Sequence, residues 1–569
     1  MSLLGGQAPA GMPDPTNPLI VQSDLTVLLE TAAPRAAEAR GALSRFAELD
    51  KAPEHIQTYR ITPLTLWNAA ASGLTAAEAT TTLTGFAKYP VPPAVLTEVA
   101  EQIGRYGRLR LVRDFDSGGL AITTDEPSLL DTLVAHDRVA PLVGDRLDGN
   151  RFAVRIGDRG ALKQALVTLG WPPSDEAGYD DGAQLPIDLT CEPRPYQGDA
   201  VASWWADGSA AGGNGVLVLP CGAGKTIIGL AAMVQAGTKT LVIATSVMAA
   251  RQWINEAIDK TDLTADQVGE YSGETKDVKP LTVATYQILT WRQPGVAEDA
   301  DEELAHPHLS LFNREPWGLV VYDEVHLLPA PVFRATSRIQ AIRRLGLTAT
   351  LVREDGREED VFSLIGPKRY DAPWKELEAQ GWIAPATCTE VRVDLPEDLR
   401  MAYATAKPQQ RYRLAATAPA KLKAVDRLVE RHRGDRILVI GQYLDQLKQV
   451  ATHLDAPLIT GQTSQTVREE RFNAFRDGDI ELLVVSKIAN FSIDLPEANV
   501  AIQISGAFGS RQEEAQRLGR IIRPKANGGQ ASFYTVVARE TIDATFAANR
   551  QRFLTEQGYA YDITDLARL

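Results

Sequence analysis

The chain has 569 residues, 44% hydrophobic and 23% charged, with a formal net charge of −14 and a pI near 5.2. This is the composition of a soluble globular protein of about four domains at roughly 150 residues each, and no apolar run approaches the roughly 20 residues needed to cross a bilayer. Cys191, Cys221 and Cys388 lie too far apart for a disulfide frame or a Cys-x-x-Cys zinc site and are too few for a four-cysteine iron–sulfur cluster.

Met1 to Pro18 is rich in Gly, Pro and Ala and reads as a disordered lead-in, 1–18. Ile20 to Leu29 reads as a strand pair, and helical periodicity follows over Ala37 to Phe46 and Thr65 to Thr82, giving an accessory domain over 19–145. A strand at Arg151 to Ile156 and a helix at Arg159 to Leu169, ended by Gly170 and Pro172-Pro173, make a small domain. The polar, acidic stretch Ser174 to Ala183 reads as its linker, so this part spans 146–185. The acidic runs Asp175 to Asp181 and Glu298 to Glu303 read as solvated loops, and His306 and His308 as residues of a surface loop.

From Val216, β-type runs alternate with helical stretches: Val216 to Leu219, Leu241 to Thr245, Leu281 to Thr285, Leu319 to Tyr322 and Leu345 to Thr348. The alternation predicts a parallel sheet with crossover helices over 186–375. It repeats at Ile437 to Ile440, Leu458 to Thr460, Leu482 to Val485, Val500 to Ile504 and Phe533 to Val537, predicting a second such layer over 376–569. A helical, basic stretch at about 395–432 is punctuated by Pro408 and Pro419. The fold class is α/β, with two tandem parallel-sheet domains behind an N-terminal α+β accessory region.

Chemistry concentrates in the first layer. Leu219-Pro-Cys-Gly-Ala-Gly-Lys-Thr226 follows an apolar strand, and Gly222, Ala223 and Gly224 would let backbone N–H groups close round phosphate oxygens at a helix N-terminus. Lys225 would reach the outer phosphates and Thr226 would ligate magnesium. Leu219 stands where the strict pattern begins with glycine. Asp323, ending its own strand, would hold the magnesium through water, and Glu324 would orient or deprotonate an attacking water. The acidic total argues against a nucleic-acid partner, but Ser505 to Gln530 sets five cations against two carboxylates, a local +3. Within it Gln516, Arg520 and Arg523 share a helical face and could meet the γ-phosphate, so that hydrolysis would require the two layers to close.

These motifs resemble those of the superfamily two helicases. Arg194-Pro195-Tyr196-Gln197 resembles the adenine-reading segment, with Gln197 pairing to the base edge; Leu347-Thr348-Ala349-Thr350 resembles the segment coupling ATP to DNA; Gln516 to Arg523 resembles the arginine-finger motif. Gly269 to Glu274, Arg353-Glu354-Asp355, Ile493 to Ala498 and Pro53 to Tyr59 resemble the xeroderma pigmentosum group B (XPB) helicases specifically. The resemblance implies two RecA-like motor domains, 3′ to 5′ movement on DNA, and a small damage-recognition-type domain ahead of the motor. It also implies a thumb-like insertion, for which Met401 to Lys423 is the candidate. There Lys407, Arg411, Arg413, Lys421 and Lys423 alternate with Tyr403 and Tyr412, so cations would follow phosphates while aromatics stack on bases.

The resulting expectation is an ATP-dependent 3′-5′ DNA helicase or translocase, using ATP and Mg2+, that couples hydrolysis to unwinding in DNA repair. Alternatives are a duplex translocase and a lesion-sensing clamp. Contacts to single-stranded and forked DNA are expected near Thr245, Thr285 and Ser486, with Arg353, Glu354 and Asp355 aiding unwinding and Asp494 on the nucleotide side. The resemblance points to a prokaryotic member, acting as a monomer in the cytoplasm on nucleoid DNA, with no membrane partner. A repair nuclease or transcription/repair partner stays open.

Overall fold

The structure, a computed structural model, describes residues 14, 16–51, 55–115, 118–220, 222–297, 302–340, 342–349, 358–372, 377, 380–382, 386–486, 498–505, 531–556 and 561–569. They fall into two compact units, Met1–Val218 with Thr226–Asp371, and Leu219–Lys225 with Ala372–Leu569. Among the described residues no helix is long and apolar enough to cross a membrane.

The first unit begins with an antiparallel sheet of β1 (Leu19–Val21), β2 (Thr26–Glu30), β3 (Glu48–Lys51) and β4 (Ile56–Arg60), in the order β1-β2-β4-β3. Helices Pro63–Ala71, Ala76–Phe86 and Pro93–Arg105 follow. The periodicity over 65–82 thus belongs to two helices. Gly73 turns the chain at φ 87°, and Thr75 caps the second helix, its hydroxyl accepting the Glu78 N–H while the Glu78 carboxylate accepts the Thr75 N–H.

A second sheet joins β5 (Leu109–Arg113), β6 (Leu120–Thr124), β7 (Arg146–Asp148), β8 (Arg151–Val154) and β9 (Ser174–Glu176) in the order β7-β8-β6-β5-β9. Its central strands come from before residue 146, so the boundary read at 145/146 falls inside a sheet. The supposed linker is corrected too. β9 adds parallel to β5, and Asp175 is buried, accepting from Arg159 Nη2 at 2.7 Å and Lys163 Nζ at 2.9 Å. Acidity misled here because the neutralising cations stand on the preceding helix, Arg159–Thr168.

The third sheet is parallel: β10 (Asn214–Val218), β11 (Thr240–Ala244), β12 (Val268–Tyr271), β13 (Leu281–Thr285), β14 (Leu319–Asp323), β15 (Arg343–Thr348) and β16 (Lys368–Asp371), ordered β12-β13-β11-β14-β15-β10-β16. β10, β11 and β13 are buried along their whole length, as strands covered on both faces must be. His306 and His308, read as surface-loop residues, are packed instead. His306 is buried, and His308 Nδ1 bonds the Tyr271 hydroxyl at 2.8 Å, with burial, then Lys276 and Arg314, lowering its pKa.

The second unit repeats the design with β17 (Ala386–Val393), β18 (Ile437–Gly441), β19 (Leu458–Ile459), β20 (Leu482–Ser486), β21 (Val500–Gln503), β22 (Ala531–Ala538) and β23 (Tyr561–Asp565), all parallel, in the order β19-β20-β18-β21-β22-β17-β23. Helices Pro408–Ala416 and Ala420–Arg431 pack on this sheet through Ala415, Ala416, Ala424, Val425 and Leu428.

Candidate active site

Parallel pairing aligns the carboxyl ends of three strands at one edge of the third sheet: Leu217 is level with Leu347, Leu347 with Asp323, and Val218 with Thr348. Open parallel sheets take their ligands at that edge. The chain leaves it after Val218 and re-enters as the helix Lys225–Ala236, whose second residue is Thr226. In the loop, Ala223 is buried and its N–H donates to the Pro220 carbonyl at 3.2 Å. Gly222 and Gly224 take φ 84° and 76°, a conformation a side chain strains, which is how successive N–H groups can turn towards one anion. Cys221 lies outside the described residues.

Asp323 ends β14 under double restraint. The Trp253 indole N–H donates to its Oδ2 at 3.1 Å, and the Tyr286 hydroxyl donates to its backbone carbonyl at 3.1 Å. Glu324 follows at φ 51°, ψ 55°, left-handed backbone that a non-glycine residue holds at a cost of about 1–2 kcal/mol. Its carboxylate lies 3.5 Å from His326 Nδ1, and the same nitrogen meets Thr348 Oγ1 at 2.6 Å. A glycine-turned loop at a helix start is of the kind that takes the phosphates of a nucleoside triphosphate, and a strand end that fixes carboxylate oxygens is of the kind that takes a hard divalent cation.

Gln197 is buried in the first turn of the helix Pro195–Trp205, its Oε1 accepting the Arg194 N–H at 2.8 Å. Arg194 donates to the Tyr196 hydroxyl at 3.3 Å, and burial pushes that phenol's pKa up. Thr245 follows β11, its carbonyl accepting from Gln287 Nε2 at 2.6 Å. Thr285 is buried at the end of β13 and caps the short helix that follows, its hydroxyl accepting the Ile288 N–H at 3.4 Å. Ser486 ends β20, buried, its Oγ without a partner among the described residues.

In the stretch 401–423 the alternation of cations and stacking aromatics is corrected. Tyr412 is 1% exposed, packed on Phe546 and Tyr443, and Lys421 is buried on Asp543 at 2.7 Å. Arg411 folds back on the Ala404 and Ala406 carbonyls at 3.0 and 2.9 Å. Tyr412 and Lys421 are thereby taken into the core. Lys407 and Lys423 remain exposed, and Arg413 is an exposed partner of Asp445. Arg353, Glu354, Asp355, Asp494, Gln516, Arg520 and Arg523 lie outside the described residues. Trp253 and Tyr286 were missed from sequence, because the spacing of Ala250, Trp253 and Ala257 signals only a buried helix face.

Residues 377–568 match the family described as ERCC3/RAD25/XPB C-terminal helicase, 190–353 that described as Type III restriction enzyme, res subunit, and 19–148 that described as Helicase conserved C-terminal domain. The chain is 56% identical to the DNA 3'-5' helicase XPB of Kineococcus radiotolerans, over 96% of each chain. It is 54% identical to the DNA 3'-5' helicase XPB of Mycobacterium tuberculosis, over 96% of this chain and 98% of that one. A further relative, the general transcription and DNA repair factor IIH helicase/translocase subunit XPB of Antonospora locustae, is 35% identical over 96% of this chain and 81% of its own.

Proposed function

The chain belongs to the XPB helicase family, and from that premise we infer that it is an ATP-dependent 3′-5′ DNA helicase that couples ATP hydrolysis to unwinding, in DNA repair. The observation carrying the mechanism is the glycine-turned loop at the sheet edge that also bears Asp323 and the left-handed Glu324. Gly222, Ala223, Gly224 and Lys225 bind the phosphates, Arg194 and Gln197 the adenine, and Thr226 and Asp323 the Mg2+. When bound, the metal neutralises charge on the phosphate oxygens. Glu324 takes the proton from the attacking water, Arg520 and Arg523 stabilise charge on the transferred phosphoryl group, and Gln516 and Asp494 serve the nucleotide side.

DNA, single-stranded or forked, is held at its backbone near Thr245, Thr285 and Ser486 and by Lys407 and Arg411, with Arg353, Glu354 and Asp355 aiding separation. Arg411 contributes less than its charge suggests, given its two backbone bonds. The domain order is the accessory region, a small domain whose sheet runs from 109 to 176, and two motor domains divided near 375. We place the protein in the cytoplasm with the nucleoid, as a monomer able to meet a repair nuclease.

The lesion-clamp reading is weakened by five ion pairs on the small domain. Arg110, Arg113, Arg146, Arg151 and Arg155 each face a carboxylate, so these cations are already neutralised. Strand displacement on duplexes with a single 3′ or 5′ tail, with ATP or a non-hydrolysable analogue, tests the proposal. Only the 3′-tailed substrate with ATP should open; displacement of a triplex strand without duplex opening would favour a duplex translocase. Lys225→Ala should abolish ATPase turnover while DNA affinity stays within about twofold, and unaffected turnover would remove the site assignment.

A further inference from the structure

We propose that Trp253 is a positioning residue for the metal site: its indole N–H fixes the Asp323 carboxylate, and Gly229, on the helix after the phosphate loop, is glycine so that the indole can sit there. The inference rests on the reading of Asp323 as the residue that holds Mg2+, and deepens it.

Three features converge. Trp253 lies on the buried face of the helix Val247–Lys260 and is 3% exposed. Its Nε1 donates to Asp323 Oδ2 at 3.1 Å. The far edge of its ring rests on Gly229, where a Cβ would overlap Cη2 and Cζ3. Phenylalanine would keep an aromatic ring there without a donor; what tryptophan adds is the N–H to Asp323 and the wider ring that reaches Gly229. A carboxylate on a strand end can rotate about its last bond; one held through one oxygen presents the other in a fixed direction. Mg2+ demands near-ideal octahedral geometry, so its affinity is sensitive to that direction.

The same helix begins at Ser246, whose hydroxyl accepts the Ala249 N–H at 3.1 Å, next to Thr245 in the expected DNA-contacting segment. Tyr286, which holds the Asp323 carbonyl, directly follows Thr285 in the other. Asp323 is therefore tied to both segments assigned to the DNA strand, its side chain through Trp253 and its backbone through Tyr286.

The test measures binding of a fluorescent ADP analogue to the full chain, in EDTA and across a Mg2+ titration, for wild type, Trp253→Phe, Gly229→Ala and Asp323→Asn. Trp253→Phe removes the donor and keeps a smaller aromatic ring. Gly229→Ala keeps the donor and displaces the ring, so either variant can decide the question if the other misfolds. Expected are an affinity in EDTA within about twofold of wild type and a Mg2+-dependent gain about tenfold smaller in both, the usual size of an outer-shell effect on metal affinity. Folded variants that keep the full Mg2+ gain and the wild-type Mg2+ midpoint would overturn the proposal, as would equal losses with and without Mg2+. If wild type and Asp323→Asn gained equally from Mg2+, the reading of Asp323 would fail, and this inference with it.

Discussion

Glu324 carries a cost that its chemistry must justify. At φ 51° it occupies backbone that asparagine or glycine tolerates better, one residue after the restrained Asp323. Glu324→Gln keeps the shape and removes the base, so ATPase turnover should fall about 10²- to 10⁴-fold while nucleotide affinity holds. Glu324→Asn should lose turnover equally and yet raise the thermal midpoint, by the equivalent of about 1 kcal/mol, as relief of backbone strain at a functional position. A drop in midpoint would mean that the conformation is not strained. The sequence named Asp323 and Glu324 because their motif is contiguous. It could not name Trp253, which reaches Asp323 from 70 residues away and looks like any core tryptophan until the indole nitrogen is placed.

At the scale of elements, the informative error is the acidic segment 174–183. Beyond Asp175, Tyr179 lies among three guanidinium groups, with Arg159, Arg344 and Arg343 at 5.1, 5.5 and 5.7 Å from its ring centre, and bonds Asn214, the first residue of the strand that leads to the phosphate loop. Lys163 also donates to Gln340 at 2.9 Å, and Gln164 to Asp360 at 2.7 Å, so the helix Arg159–Thr168 is bonded to the segments flanking β15. Local composition reads such a segment as solvated, since it cannot show cations brought up by tertiary packing. Helix 159–169 and its glycine stop, by contrast, were legible because both are local.

Burial acts to raise Asp175, and Lys163 and Arg159 outweigh it, holding the carboxyl well below its usual range. Asp175→Asn should therefore cost about 3–5 kcal/mol by leaving two buried cations uncompensated, and Lys163→Met less, because Arg159 still pairs with Asp175. Burial pushes the Lys163 ammonium down from 10.5 to about 8 against the pull of Asp175. Below pH 8 folded and unfolded states both hold the proton; from about 8 to 10.5 only the unfolded state does. Relative to Lys163→Met, wild-type stability in urea should rise across that window and lie flat below it. A difference independent of pH would remove the buried-charge account.

For the whole molecule, the alternation of apolar runs with helical stretches marked both parallel layers, since strands buried on two faces are nearly continuous in Val, Ile and Leu. The strands it missed, β12, β16, β17 and β23, are short or polar, and β12, β16 and β23 edge their sheets, where one side has no partner to demand apolar residues. Among the described residues no strand of the first three sheets comes from beyond Asp371, and three separate buried cores lie within that stretch. A fragment of residues 1–371 should consequently fold by itself, with a cooperative urea transition, and bind the fluorescent ADP analogue. It lacks Arg520 and Arg523, and charge stabilisation of that kind is worth about 10³- to 10⁵-fold in phosphoryl transfer. Its ATPase rate should fall by at least about 10³-fold with nucleotide affinity near that of the full chain. Full-rate hydrolysis by the fragment would take those arginines out of the chemistry; a folded fragment that fails to bind nucleotide would show that the phosphate loop itself depends on residues beyond 371.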